Sequence, residues 1–188
     1  MKKCLILVKH SLPEIVESLP AREWKLSEIG RERAQRLADQ LQGYQPEVII
    51  SSVEPKAVET AEIIVEKLGL PVYVVEGLHE HERSNVPFLP KDEFQEAVKE
   101  FFSRSTELVF GDETAERSYE RFDQAVRSVL NYHHGKTVVL VTHGTVISLF
   151  VSRLTGIHDF SLWSELGLPS FVVIDPQAKI LIKKENIT

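Results

Sequence analysis

Three short apolar runs constrain this chain more than any other feature: residues 5–8 (Leu-Ile-Leu-Val), 48–50 (Val-Ile-Ile) and 137–141 (Thr-Val-Val-Leu-Val). None alternates apolar with polar residues, so each reads as a strand covered on both faces, as strands inside a parallel sheet are. Each run stops abruptly at polar residues: Lys9-His10-Ser11, Ser51-Ser52 and Thr142-His143. Parallel strands need crossover segments, usually helices, and helical patterns follow in the right places. Ser27 reads as an N-cap ahead of Glu28, with Ile29, Ala34, Leu37, Ala38 and Leu41 on one face and Gly43 at the end. A second helix begins at Pro55, runs to Leu68 and stops at Gly69.

Residues 72–75 read as another strand, 114–132 as a helix, and 144–154 as a helix after the third apolar run. Residues 171–174 and 179–182 read as a closing hairpin around the turn-favouring pair Asp175-Pro176. Between 78 and 110 the periodicity weakens around Pro87, Pro90 and a charged amphipathic stretch at 94–102, the pattern of an insertion lying over the core as a lid. The expected architecture is a three-layer α/β/α sandwich on a mostly parallel sheet, with a short lid insertion at about residues 78–110. A chain of 188 residues has the length of one domain, so residues 1–188 are read as a single domain.

Charge and cysteine content narrow the function class. With 22 basic and 28 acidic residues the net charge is −6, which argues against a nucleic-acid or membrane-surface protein. The acid is unevenly spread: residues 61–121 carry a net −7 and the rest +1. The one cysteine, Cys4, excludes an internal disulfide framework, suits a reducing compartment and reads as a small buried hydrophobe. The apolar stretch after Lys2-Lys3 is shorter than the ~7–15 residues of a signal peptide's core, so a cytoplasmic location is expected.

In open α/β sheets, ligands bind outside the carboxyl ends of the strands. There this chain gathers His10 and His143, each followed by a small residue, Ser11 or Gly144; Lys9 stands beside His10, and Lys56 lies in the first turn of the helix after Ser51-Ser52. Two imidazoles, two ammonium groups and the positive ends of two helices make a compact cationic pocket, for which phosphate is the expected occupant.

The order of these motifs resembles the histidine phosphatase superfamily, also called phosphoglycerate mutase-like, along nearly the whole chain. Leu7-Val8-Lys9-His10-Ser11 resembles its Arg-His-Gly motif, and Trp24-Lys25-Leu26-Ser27-Glu28-Ile29-Gly30 its Leu-Thr/Ser-x-x-Gly helix start. The segment 51–61 resembles Ser-Ser/Thr-Pro-x-x-Arg-Ala-x-Gln-Thr-Ala, and Leu78-His79-Glu80 resembles Leu-x-Glu. Gly111-Asp112-Glu113 is close to Gly-Glu-Ser, and Val141-Thr142-His143-Gly144 resembles the second histidine motif.

The resemblance implies a phosphomonoesterase of the histidine acid type. His10 would attack phosphorus, and Lys9, Lys56, His143, Ser11 and Gly144 would hold the phosphoryl group. Glu80 would be the proton donor, for which a raised pKa is useful, and no metal or other cofactor is implied because protein cations do the neutralising. The partner is then a small phosphorylated metabolite or a phosphoprotein, with no nucleic acid or membrane; a homodimer is compatible with the sequence. The departures are Lys9 and Lys56 in place of arginines, Ser11 in place of the motif glycine, Glu59 in place of the glutamine, and Pro13 and Val16 in the loop. Lysine keeps the charge but loses the planar fork that grips two oxygens. A weakly active or inactive phosphate-binding pseudoenzyme therefore stands as the rival reading. Phosphoglycerate mutase-type transfer is a further alternative, disfavoured by the short insertion.

Glu80 and Glu82 both remain candidates for the acid, with the Leu-x-Glu match favouring Glu80. The run His79-Glu80-His81-Glu82 invites a metal reading, but its spacing is not His-Glu-x-x-His, and no metal site is expected. Glu113 and Arg121 are assigned to structure or support of the lid, and Phe88, Phe101 and Phe102 could face substrate or core.

Overall fold

A computed structural model describes residues 4–188; Lys2 and Lys3 lie outside them. A six-stranded sheet has the order β3-β2-β4-β1-β5-β6, formed by β1 (Leu5–Lys9), β2 (Val48–Ser51), β3 (Val72–Val74), β4 (Val138–Thr142), β5 (Ser170–Asp175) and β6 (Ile180–Asn186). The first four strands pair in parallel, and β5 and β6 continue the sheet antiparallel. The three apolar runs are the three adjacent strands β2, β4 and β1, whose residues 5–8, 48–51 and 138–142 are all buried.

Among the described residues six α-helices join them: α1 (Glu28–Gln42), α2 (Pro55–Leu68), α3 (Lys91–Ser103), α4 (Ala115–Tyr132), α5 (Gly144–Thr155) and α6 (Asp159–Glu165). One sheet face buries Ile6, Val8, Ile49, Val139 and Val141 against α1 and α2. The other buries Leu5, Leu7, Ile50, Leu140 and Val172 against α4 and α5. Alternate residues of one strand thus feed opposite layers, which is why both faces are apolar. The stripe of α1 is Gly30, Ala34, Leu37, Ala38 and Leu41. Ile29, expected on that face, is 56% exposed, because it lies one residue, about 100° of helix, away from the stripe.

The insertion carries a core of its own. Val98, Phe101 and Phe102 of α3 pack with Phe110, Ala115 and Leu149, backed by Phe160 and Trp163 of α6. Phe101 and Phe102 therefore face core, whereas Phe88 is exposed. Cys4 is half-buried just before β1, against the layer of α1 and α2. Among the described residues, no helix is long and apolar enough to cross a membrane.

Candidate functional site

His10 leaves β1 with its amide bonded to the Thr142 carbonyl (2.9 Å), so the first histidine is tied to the end of β4, beside the second. The rings of His10 and His143 meet edge to face with centroids 5.1 Å apart. His10 Nδ1 lies 2.7 Å from the Ser11 carbonyl oxygen. A carbonyl only accepts, so Nδ1 carries the ring proton and Nε2 keeps its lone pair. Burial first, then the neighbouring His143 ring and the ammonium charges of Lys56 and Lys9, hold His10 well below the ordinary imidazole range, which keeps it neutral and nucleophilic.

A clamp downstream fixes this loop. Ser27 Oγ accepts from the Gly30 amide (3.0 Å) and donates to the Leu12 carbonyl (3.1 Å). A Cβ on Gly30 would stand 2.1 Å from that same carbonyl oxygen, so the glycine of the Leu-Ser-x-x-Gly segment permits the closest approach in the loop's path. Ser11 belongs to the clamp as well: its hydroxyl donates to the Gly30 carbonyl (2.6 Å) and its amide to Thr60 Oγ1 (3.0 Å). Expected at the phosphate, Ser11 instead spends both groups on α1 and α2. Glu59 likewise accepts from the Leu26 amide (2.8 Å) and pairs with Arg31 (2.6 Å).

His143, fully buried, places Nε2 2.8 Å from Ser52 Oγ and 3.5 Å from Glu54 Oε1, while its Nδ1 has no partner among the described residues. The two oxygens favour the proton on Nε2, and an orphaned bare nitrogen costs less than an orphaned N–H. Burial first, then Lys56, holds this ring well below its ordinary range too, against the opposing pull of Glu80.

The lysines arrive with partners. Lys56, 4% exposed, donates to Glu54 Oε2 (2.5 Å) and to the Ala21 carbonyl (2.6 Å). Lys9 donates to the Leu166 carbonyl at the end of α6 (2.8 Å). It crosses Gly144, where a Cβ would lie 3.1 Å from Lys9 Cε, so the glycine makes room for the lysine. Burial lowers Lys9 to about 8, partly offset by the charge of Glu80. The charge of Lys56 thus acts on both histidines, and the Lys9 ammonium is bonded to the main chain of Leu166.

Glu80 is fixed between two amides: Oε1 accepts from His81 (3.0 Å) and Oε2 from Thr145 in the first turn of α5 (3.2 Å). Arg121 holds the segment by donating to the carbonyls of Gly77, His79 and Glu80 and pairing with Glu113 (2.5 Å), in the supporting role expected of Arg121 and Glu113. Glu82, the other candidate acid, is half exposed beside His79. The raised pKa that would be useful to a proton donor is not found at Glu80. Burial pushes its carboxyl up, but Arg83, His143 and the His81 amide outweigh burial and leave it below the usual range. At rest it is a carboxylate. His81, in turn, bonds the Phe110 carbonyl (2.8 Å) and stacks on Phe101, and among the described residues no group of three or more His, Cys, Asp or Glu is arranged to hold a metal.

Two residues at the site carried no signal in the sequence. Glu54 precedes a helix-starting proline and reads as an ordinary acid at a helix start, yet its carboxylate turns into the pocket. Arg83 ends a charged run that reads as solvated; its guanidinium instead lies over the Phe94 ring at 5.1 Å and acts on Glu80, Lys56 and His143. A polar cavity of about 130 Å³ is lined by Glu54, Lys56, Glu80 and Arg83. It shares Pro20, Ala21 and Arg83 with an apolar cleft of about 390 Å³, walled by Leu19, Trp24, Val86, Phe88, Phe94 and Phe110.

The family model described as "Histidine phosphatase superfamily (branch 1)" matches residues 6–179. The chain is 34% identical over 137 residues to phosphoglycerate mutase-like protein 4 of Arabidopsis thaliana, covering 69% of this chain and 60% of the plant protein. Its fold matches a phosphoserine phosphatase from Entamoeba histolytica, in complex with 3-phosphoglyceric acid, with a TM-score of 0.78 at 20% identity over 99% and 98% of the two chains. A mycobacterial glucosyl-3-phosphoglycerate phosphatase in complex with VO3 matches with a TM-score of 0.74 at 23% identity, over 92% of each chain.

Proposed function

The chain belongs to the histidine phosphatase superfamily (branch 1), and on that premise we propose that it is a metal-independent phosphomonoesterase working through a phosphohistidine at His10. The observation that carries the reading is the tautomer of His10: a neutral ring next to that of His143, its Nδ1 proton pinned by the Ser11 carbonyl, which leaves Nε2 bare. Nε2 attacks phosphorus as the bond to the leaving oxygen breaks, and that oxygen takes a proton from Glu80. Water then attacks the phosphohistidine, gives its proton back to Glu80, and inorganic phosphate leaves. Lys56 and His143 stabilise the charge spread over the phosphoryl oxygens.

Because Glu80 rests ionised, its proton arrives with the substrate: a monoanionic ester brings one into a pocket where a second carboxylate lies close by. The apolar cleft supports esters whose alcohol portion is aromatic or aliphatic, with Arg83 at the junction. The rival reading, a binder without turnover, is favoured by one observation, that both pocket lysines are already engaged by protein oxygens.

The test is hydrolysis of p-nitrophenyl phosphate in the presence of a chelator, with acid-quenched protein probed for phosphohistidine. Turnover and a labelled His10, both absent in His10→Ala, are expected. Wild-type activity no greater than that of His10→Ala removes the enzyme reading.

A further inference from the structure

Glu54 is the N-cap of α2, yet its side chain makes no capping bond, although a carboxylate at that position ordinarily accepts from the first-turn amides. It is 7% exposed and lies within reach of three groups of the active site. Oε2 takes the Lys56 ammonium at 2.5 Å, while Oε1 accepts the Glu80 amide at 2.9 Å and stands 3.5 Å from His143 Nε2. A lysine, an imidazole edge and a main-chain N–H make the kind of donor set that holds an oxyanion. Here the chain's own carboxylate fills it.

We propose that Glu54 is the resident anion of the phosphate pocket and sets which charge state of a phosphate ligand the pocket accepts. A phosphoryl group reaching Lys56 and His143 must displace this carboxylate or lie against it. The repulsion grows with ligand charge, so a dianion is disfavoured more than a monoanion. With both histidines neutral, the charges in or facing the site are Arg22, Lys56 and Arg83 from the cavity lining and Lys9 beside His10, against Glu54, Glu80 and Glu82. One ligand charge balances them and two exceed them. Burial pushes the Glu54 carboxyl up, but the neighbouring Lys56 outweighs it and the group remains ionised.

The proposal rests on the site's taking phosphate esters, but its test reads binding rather than turnover. Inorganic phosphate, mostly dianionic at pH 7.5, where Lys9 keeps most of its charge, and dimethyl phosphate, which carries one charge, are titrated by 31P NMR into wild type, Glu54→Gln and Glu54→Ala. Removing the carboxylate should tighten inorganic phosphate by about tenfold or more and dimethyl phosphate by only about threefold. A role for Glu54 confined to folding would not grade with ligand charge. Equal changes for the two ligands, no change, or weaker phosphate binding in the folded variants would overturn the proposal. So would failure of both variants to fold, which would make Glu54 a structural counter-ion of Lys56. Graded binding with no hydrolysis in any protein would remove the phosphatase reading and leave this one standing, whereas hydrolysis with ungraded binding does the reverse.

Discussion

At the scale of single residues, the site is built from titratable groups held in the wrong charge state for water and the right one for chemistry. His10 and His143 are buried and neutral, mainly because burial penalises the imidazolium. Such groups link stability to pH. In the unfolded chain both protonate near 6.5, whereas in the folded chain they do so only well below that. Below 6.5 the unfolded state therefore binds more protons, and stability present at neutral pH is lost as pH falls. One unit under the unfolded value, each histidine removes about 1.4 kcal/mol. Thermal unfolding followed by circular dichroism should give a midpoint lower at pH 5.5 than at pH 7.5. His143→Gln should flatten part of that slope, and a slope unchanged in this variant would show that the neutral ring is not its source.

At this scale a residue's place is legible in the sequence where chemistry leaves a pattern and not where only a rotamer decides. His10, His143 and Glu80 follow strands or match spaced motifs, and the structure gathers them at the ends of β1 and β4. Lys9 and Lys56 were legible as charges, but not the carbonyls of Leu166 and Ala21 that hold them, since those lie 157 and 35 residues away. Glu54 and Arg83 stand in charged surroundings with nothing in the local spacing to distinguish them from solvated side chains.

At the scale of elements, apolar runs and caps carried most of the fold. The strand core, α1 with its Ser27 cap and α2 with Pro55 and Gly69 follow from patterns that depend on one segment alone. α6 was missed because seven residues make barely two turns, too few for a periodic stripe, and its N-cap is a histidine. That omission mattered, since α6 delivers the carbonyl that takes Lys9. The helix start at Ser27 is a load path to the site as well as a cap. Gly30→Ala would drive a methyl group into the Leu12 carbonyl, which sits two residues after His10. The loop must move for the protein to fold, at a cost of about 1–3 kcal/mol. We expect a thermal midpoint lowered by several degrees, and kcat on p-nitrophenyl phosphate reduced beyond tenfold through misplacement of His10. A variant that loses stability but retains kcat would show that the clamp does not position the nucleophile.

At the scale of the whole molecule, the excess acid and most of the pocket's cations come from different parts of the chain, Arg83 being the exception. Residues 61–121 carry the net −7, while His10, Lys56 and His143 converge at the strand ends. The insertion is also where the substrate's other half would lie. The apolar cleft takes its walls from three separated stretches, Ile15 to Trp24, Arg83 to Phe94, and Phe110, so no local periodicity could reveal it. Trp24 anchors one wall by donating Nε1–H to the Val16 carbonyl (2.9 Å), and its ring lies 6.5 Å from that of Phe88. If the cleft holds the alcohol portion of the ester, truncating this wall removes apolar contact without touching phosphorus. Such contact contributes about 25 cal/mol per Å² buried, so losing an indole face should cost about 1–2 kcal/mol. Trp24→Ala should therefore raise KM for 1-naphthyl phosphate by about tenfold, while KM for methyl phosphate moves little, because a methyl group does not reach the wall. Equal changes for the two esters would place the leaving group elsewhere. A large fall in kcat for both would instead make Trp24 a support for the loop that carries Ala21 to Lys56.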